Sequence, residues 1–120
     1  MLLLAYCIRV LIMYTGVPSL QGGDAAPPVV FVHGLYGSCA NFRSIMKGIS
    51  VKLKRDRPLY SIDLRNHGNS GHSADMSYDA HAEDVKQFLE QNDIDSAVLV
   101  GHSLGGRTVM AAALKYPELV

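Results

Sequence analysis

A serine between two glycines, at the junction of a short apolar run and an alanine-rich one, constrains this chain most. Ala97-Val98-Leu99-Val100 reads as a buried strand, Gly101 to Gly106 (Gly-His-Ser-Leu-Gly-Gly) as a sharp turn, and Thr108 to Leu114 as a buried helix. Strand, G-x-S-x-G turn and helix in this order form the nucleophile-elbow pattern. A turn this tight leaves no room for side chains at Gly101 and Gly105. It would hold the hydroxyl of Ser103 clear of the sheet, at the N-terminus of a helix whose free N–H groups favour developing negative charge. The bland alternative is a glycine-rich strand-to-helix turn carrying an ordinary serine.

The same alternation runs through the preceding chain. Val29-Val30-Phe31-Val32 is a continuous apolar, β-branched run, as in a strand covered on both faces. A turn-rich loop, His33 to Ser38, follows it. Phe42, Ile45, Met46, Ile49 and Leu53 then fall at helical spacing with lysines between them. Ser38 or Asn41 can cap that helix, and Arg55-Asp56-Arg57-Pro58 breaks it. Leu59 to Leu64 reads as a second strand, and Arg65 to Asp75 as a polar loop. Ser77 is a candidate N-cap for a helix with the stripe Tyr78, Ala82, Val85, Phe88 and Leu89, ended by Asn92-Asp93. Pro117 stops the last helix. Strand-helix alternation implies right-handed crossovers and a parallel sheet with helices on both faces. Ligands bind beyond the carboxyl ends of such strands, where the loops at His33, Asp63 and Ser103 all lie.

Composition narrows the function classes. Apolar residues make up 48% of the 120, and the 11 basic residues balance the 11 acidic ones. That balance gives no basic field for nucleic acid. Cys7 and Cys39 make no C-x-x-C pair or disulfide framework, which leans toward a reducing compartment. No metal, Walker or EF-hand motif is present, so no cofactor and no metal are expected. Residues 1–27 read as an apolar leader and linker. Arg9 interrupts the apolar run, which is shorter than the roughly 20 residues of a membrane span. A basic n-region before that run is missing, and a transit peptide would want more Arg and Ser. The segment is either a targeting element or an ordinary apolar first strand.

A serine hydroxyl needs an adjacent base to act as a nucleophile, and its tetrahedral oxyanion needs backbone donors. The N–H of Leu104 is one candidate donor. The second should come from the loop after an earlier strand, and Leu35 is chosen because Gly34 lets the backbone turn inward. His33 is read as a histidine that braces this loop and not as the base. His102 is read as a packed elbow residue, since side chains adjacent at a strand end point to opposite sides.

Three motifs together, His33 to Ser38, Asp63 to Ser70 and Gly101 to Gly106, resemble the α/β-hydrolase superfamily. The stretch His72 to Tyr78 narrows the likeness to the subfamily of α/β-hydrolase domain-containing protein 11 and its bacterial esterase relatives. The resemblance covers about residues 28–120. It implies the N-terminal half of an α/β-hydrolase fold, a three-layer sandwich with a mostly parallel sheet, ending just after the nucleophile helix. It also implies hydrolysis of an ester or thioester, with lipid-like acyl groups, through an acyl-enzyme on Ser103. Leu35 and Leu104 stand at the family's oxyanion-hole positions. His33, Gly34, Gly101, His102 and Gly105 are motif residues, and the Asp63–Ser70 loop is a structural pattern in which Asp63, Arg65 and His67 are not catalytic. The implied partner is a small-molecule acyl ester, with no nucleic acid and no transmembrane span. The implied location is mitochondrial, otherwise cytoplasmic.

The triad order of this fold is Ser, acid, His. After Ser103 come 17 residues with one acid, Glu118, and no histidine; the five histidines, His33, His67, His72, His81 and His102, all precede Ser103. The chain is therefore expected to be a fragment of an active parent and inactive by itself. The other readings are a non-catalytic form acting by binding, and a carbon–carbon hydrolase, perhydrolase or lyase on the same fold. An epoxide hydrolase or dehalogenase is disfavoured, because those enzymes carry Asp at the elbow.

Overall fold

The structure is a computed structural model that describes residues 10–13, 26–53 and 57–120. Most of the leader, and Arg55-Asp56 of the helix-breaking run, lie outside the described residues. The elements are β1 (Val10–Met13), β2 (Val29–Val32), α1 (Arg43–Ser50), β3 (Leu59–Ile62), α2 (Tyr78–Gln91), β4 (Val98–Gly101) and α3 (Leu104–Lys115). The sheet order is β1-β3-β2-β4. β2 pairs parallel with β3 and with β4, while β1 pairs antiparallel with β3, Val10 opposite Ile62 and Met13 opposite Leu59. Four residues of the segment read as a leader thus form a sheet strand.

Side-chain alternation along the strands builds the three layers. Val30, Val32, Tyr60 and Ile62 face α2 and α3, and pack with Ala82, Val85, Phe88, Leu89 and Ala112. Val29, Phe31 and Leu59 face the other way, onto Phe42 and Met46 of the α1 side. Because both faces of β2 are buried, it reads as an unbroken apolar run. Full burial of each such side chain contributes about 1.5–3 kcal/mol.

Caps mark the helix ends as the sequence suggests. Ser77 Oγ accepts the Ala80 N–H at 3.2 Å and starts α2. Asn92 donates its side-chain amide to Phe88 O at 2.8 Å and stops it, and Asp93 follows at φ 53°. Asn41 Oδ1 accepts the Ser38 N–H at 2.7 Å, and a 3-10 turn over Cys39–Phe42 leads into α1.

Two expectations of burial are corrected. Val98 and Val100 of β4 are exposed, because β4 ends the sheet order and α1 covers only its neighbours on that face. In α3 only Gly105, Thr108 and Ala112 are buried, while Met110 and Leu114 face outward. One side of this helix packs on the sheet and α2, and the other has no cover among the described residues.

Candidate active site

Ser103 sits between β4 and α3 at φ 54° and ψ −113°. A non-glycine residue at positive φ is strained, and such strain collects at functional sites. The neighbouring glycines are explained by distance. A Cβ on Gly101 would lie 2.2 Å from Gly105 O, and one on Gly105 would lie 2.0 Å from Val32 O. The first contact closes the elbow on itself and the second presses it onto the end of β2. Leu104 opens α3, so its N–H is among the donors that a helix start leaves without an intrahelical acceptor. Ser103 is exposed, and so is His102, which corrects its reading as a packed elbow residue: it stands at the end of β4 against Gly34 of the loop after β2.

The loop after β2 lies directly on this elbow. A Cβ on Gly34 would come within 2.9 Å of His102 Nδ1 and 3.3 Å of Ser103 Cβ. Gly37 N–H bonds to Gly34 O at 2.9 Å, closing a tight turn over Leu35 and Tyr36. Tyr36 holds φ 60° in that turn, at a position that favours glycine. His33, fully buried, braces it. Its Nε2 accepts the Leu64 N–H at 3.1 Å. Nδ1 must then carry the proton, donating to Gly34 O at 2.8 Å. Burial pushes the pKa of this ring below the ordinary imidazole value, and nearby His67 adds to that, against the opposing Gly34 bond and Asp63 charge. With both nitrogens engaged, His33 has no free lone pair for the Ser103 proton.

Asp63 also ties loops together. Its carboxylate accepts Cys39 N–H at 2.6 Å and Asn69 N–H at 3.0 Å. Gly68, at φ 53°, carries no Cβ because one would stand 2.1 Å from Asp63 Oδ2. His67 Nδ1 bonds to Arg65 O at 2.8 Å. His72 is exposed in the same loop. Among the described residues, no group of three or more His, Cys, Asp or Glu could hold a metal ion.

Arg65 and Asp84 form a buried feature that the sequence reading missed. Arg65 donates Nε to Asp84 Oδ2 at 2.6 Å, Nη2 to Oδ1 at 2.7 Å, and Nη1 to Asp75 O at 2.9 Å. Beside them His81 is fully buried, and neither ring nitrogen has a hydrogen-bond partner among the described residues. Desolvation lowers its pKa, and the Arg65 charge lowers it further. The signal was present: His81 and Asp84 flank Ala82 and Val85 on the apolar stripe.

Residues 27–120 match the family model of the alpha/beta hydrolase fold. The chain belongs to the α/β-hydrolase family. Among relatives of this hydrolase-family chain is the sn-1-specific diacylglycerol lipase ABHD11 of Mus musculus, 45% identical over 103 residues, or 85% of this chain and 33% of the relative. Ethanol acetyltransferase 1 of Cyberlindnera jadinii is 44% identical over 93 residues, covering 78% of this chain and 27% of that protein. A solved structure, a marine microorganism esterase, superposes with a TM-score of 0.75 at 34% identity, over 94% of this chain and 39% of that one. The ABHD11 likeness is the one implied by the three motifs together with the stretch His72 to Tyr78. The chain spans about a third of the length of the ABHD11 relatives.

Proposed function

We propose that this chain carries the nucleophile half of a serine hydrolase that cleaves carboxylic esters or thioesters, with lipid-like acyl groups as substrates. The observation that carries the reading is Ser103 itself: exposed, at φ 54°, immediately before α3, with Gly34 of the neighbouring loop packed against it. The Oγ of Ser103 attacks the carbonyl carbon, and the oxyanion is held by the N–H groups of Leu35 and Leu104. The leaving alcohol or thiol departs with a proton supplied by the base, and the acyl group stays on Oγ. Water then adds to that ester, releasing the acid and restoring the hydroxyl. In this reading the base and its acid partner come from a further part of a longer protein. His33 is engaged at both nitrogens, and His81 is buried beneath the Arg65 loop. Mitochondrial residence belongs to the same proposal.

The test is labelling of the full-length protein by a fluorophosphonate probe. Wild type should label, and Ser103→Ala should lose both labelling and ester turnover while its melting curve stays close to wild type. Losing a triad member leaves at most roughly 10³–10⁴-fold acceleration over water. A Ser103→Ala variant with retained hydrolysis would falsify the assignment. The 120-residue chain alone should show no efficient turnover, and Ser103-dependent hydrolysis by it would overturn the placement of the base. A second reading, supported by the 44% identity to an ethanol acetyltransferase, keeps the acyl-enzyme but hands the acyl group to an alcohol. Product analysis with ethanol present separates the two.

A further inference from the structure

We propose that His33 is a proton-operated catch on the loop after β2. Uncharged, the ring holds the turn over Leu35 and Tyr36 against the loop after β3; charged, it releases that turn, so acid opens the candidate active site. The inference rests on the ester-cleaving reading only for the task of the turn, which is to present the Leu35 N–H to the oxyanion.

The direction of one hydrogen bond decides the case. A backbone N–H can only donate, so Leu64 N–H donates to His33 Nε2 at 3.1 Å, and that nitrogen must keep its lone pair. Nδ1 carries the ring proton and donates to Gly34 O at 2.8 Å. A second proton has no place but Nε2, where it would face the Leu64 N–H head-on. The ring therefore cannot be charged and hold Leu64 at once. His67 shows the contrast: its Nδ1 donates to Arg65 O at 2.8 Å, a bond that charging the ring leaves intact.

The catch lies where release reaches the nucleophile. Gly34 O accepts from His33 Nδ1 and also from Gly37 N–H at 2.9 Å, so ring and turn share one carbonyl. A Cβ on Gly37 would stand 3.1 Å from His33 Nδ1, which puts the ring directly against the turn. The backbone at His33 is pinned instead by the elbow. A Cβ on Gly105 would lie 2.6 Å from His33 O, and His102 N–H bonds to Val32 O at 3.0 Å. Release thus moves the chain beyond His33 and leaves β2 and Ser103 in place. Since a Cβ on Gly34 would be 3.3 Å from Ser103 Cβ, any lift of the turn changes its distance from the nucleophile.

The groups around the ring set the pH of release. The loop after β3 contributes the Asp63 carboxylate and His67, whose ring centroid is 5.1 Å away. His102 from the end of β4, and Asn41 and Phe42 from the α1 side, line the same cleft as His33. Burial lowers the pKa of the ring, the Gly34 bond raises it, His67 lowers it and Asp63 raises it; the balance lies below the ordinary value. That cleft, about 240 Å³ in volume, gives the released imidazolium a place to turn toward water, where its pKa is about 6.5. An open state that takes the proton and a closed state that resists it are linked, so opening grows by up to about tenfold per pH unit below 6.5. Between pH 7.5 and 5.0 the ceiling is about 30-fold.

Amide hydrogen exchange and imidazole ¹⁵N NMR on the full-length protein test this without catalysis. At pH 7.5 the His33 ring should carry its proton on Nδ1. From pH 7.5 to 5.0 the protection factor of the Leu64 amide should fall by up to about 30-fold. That of Gly37 should fall with it, and both should stay below that of Phe31 in β2. A proton on Nε2 at pH 7.5 overturns the proposal. So does a Leu64 change under about twofold, a Gly37 amide that does not follow, or Leu64 protection equal to that of Phe31, which would mean exchange through global unfolding. His33→Gln supplies an acceptor that does not titrate, and should hold Leu64 protection within about twofold over the same range. A larger fall in that variant overturns the assignment to His33, and if the variant does not fold the wild-type amides still decide. The hydrolase reading fails separately, by absent fluorophosphonate labelling, on which none of these signals depends.

Discussion

Removing Asp84 alone should damage this protein far more than removing Asp84 and Arg65 together. The pair is bidentate, with contacts of 2.6 and 2.7 Å, and its side chains are 8% and 2% exposed. Asp84→Leu would leave the guanidinium buried without its carboxylate, though still donating to Asp75 O. Stranding one member of a buried pair costs about 3–5 kcal/mol. A chain of this length has roughly 6–18 kcal/mol of total stability. With an unfolding entropy near 2.1 cal/mol/K per residue, each kcal/mol moves Tm by about 4 °C, so the single variant should melt about 12–20 °C lower. In Arg65→Met with Asp84→Leu no charge is stranded, and the exposed Asp75 carbonyl turns to water. Replacing a buried pair by apolar side chains of similar volume is often neutral or better, so most of the lost Tm should return. Thermal unfolding by circular dichroism measures both. A double variant as unstable as Asp84→Leu would refute the argument, because the loss would then lie in the pair's own attraction. A single-variant shift below about 4 °C would show that the guanidinium is not desolvated.

The two buried imidazoles, His33 and His81, both have pKa values depressed by burial. The unfolded chain therefore binds more protons near the ordinary imidazole value of about 6.5, and stability, intact above that pH, should fall as pH drops through and below it. Urea midpoints at pH 7.5 and 5.0 should show this, and His81→Met should shrink the difference; a midpoint independent of pH would contradict it. In the loop after β2, Leu35→Met should be mild, because the proposed role belongs to the backbone N–H. Leu35→Pro should lower turnover of the full-length enzyme by about 10²–10³, and a folded proline variant of near-normal activity would show that another loop supplies the second donor.

What the sequence reveals here divides by the kind of interaction that carries the information. Strand order, helix spans and the elbow are written in apolar period and glycine position, which are local. A Cβ at Gly101 or Gly105 would collide with backbone a few residues away or on the adjacent strand, so the G-x-S-x-G spacing is a direct imprint of the turn. The exposure of Val98 and Val100 is not written in the strand's own residues, since burial on a strand face depends on which helices cover it. Nor was the Arg65–Asp84 pair, whose partners lie 19 residues apart. A period reading assigns polar positions on a helix to solvent by default. On α2, however, His81, Asp84 and Val85 share one buried side, and the loop after β3 supplies the matching cation. The polar residues of that loop divide into connected tasks. Asp63 and Arg65 anchor it to the loop after β2 and to α2, and Asn66 closes it on Ser73. The loop after β3 thus supplies no reacting group in this reading, yet it fixes the height of Gly34 above Ser103 through His33 and Leu64. A change in Arg65 or Asp84 should therefore reach the active site through loop position, lowering turnover without touching the nucleophile.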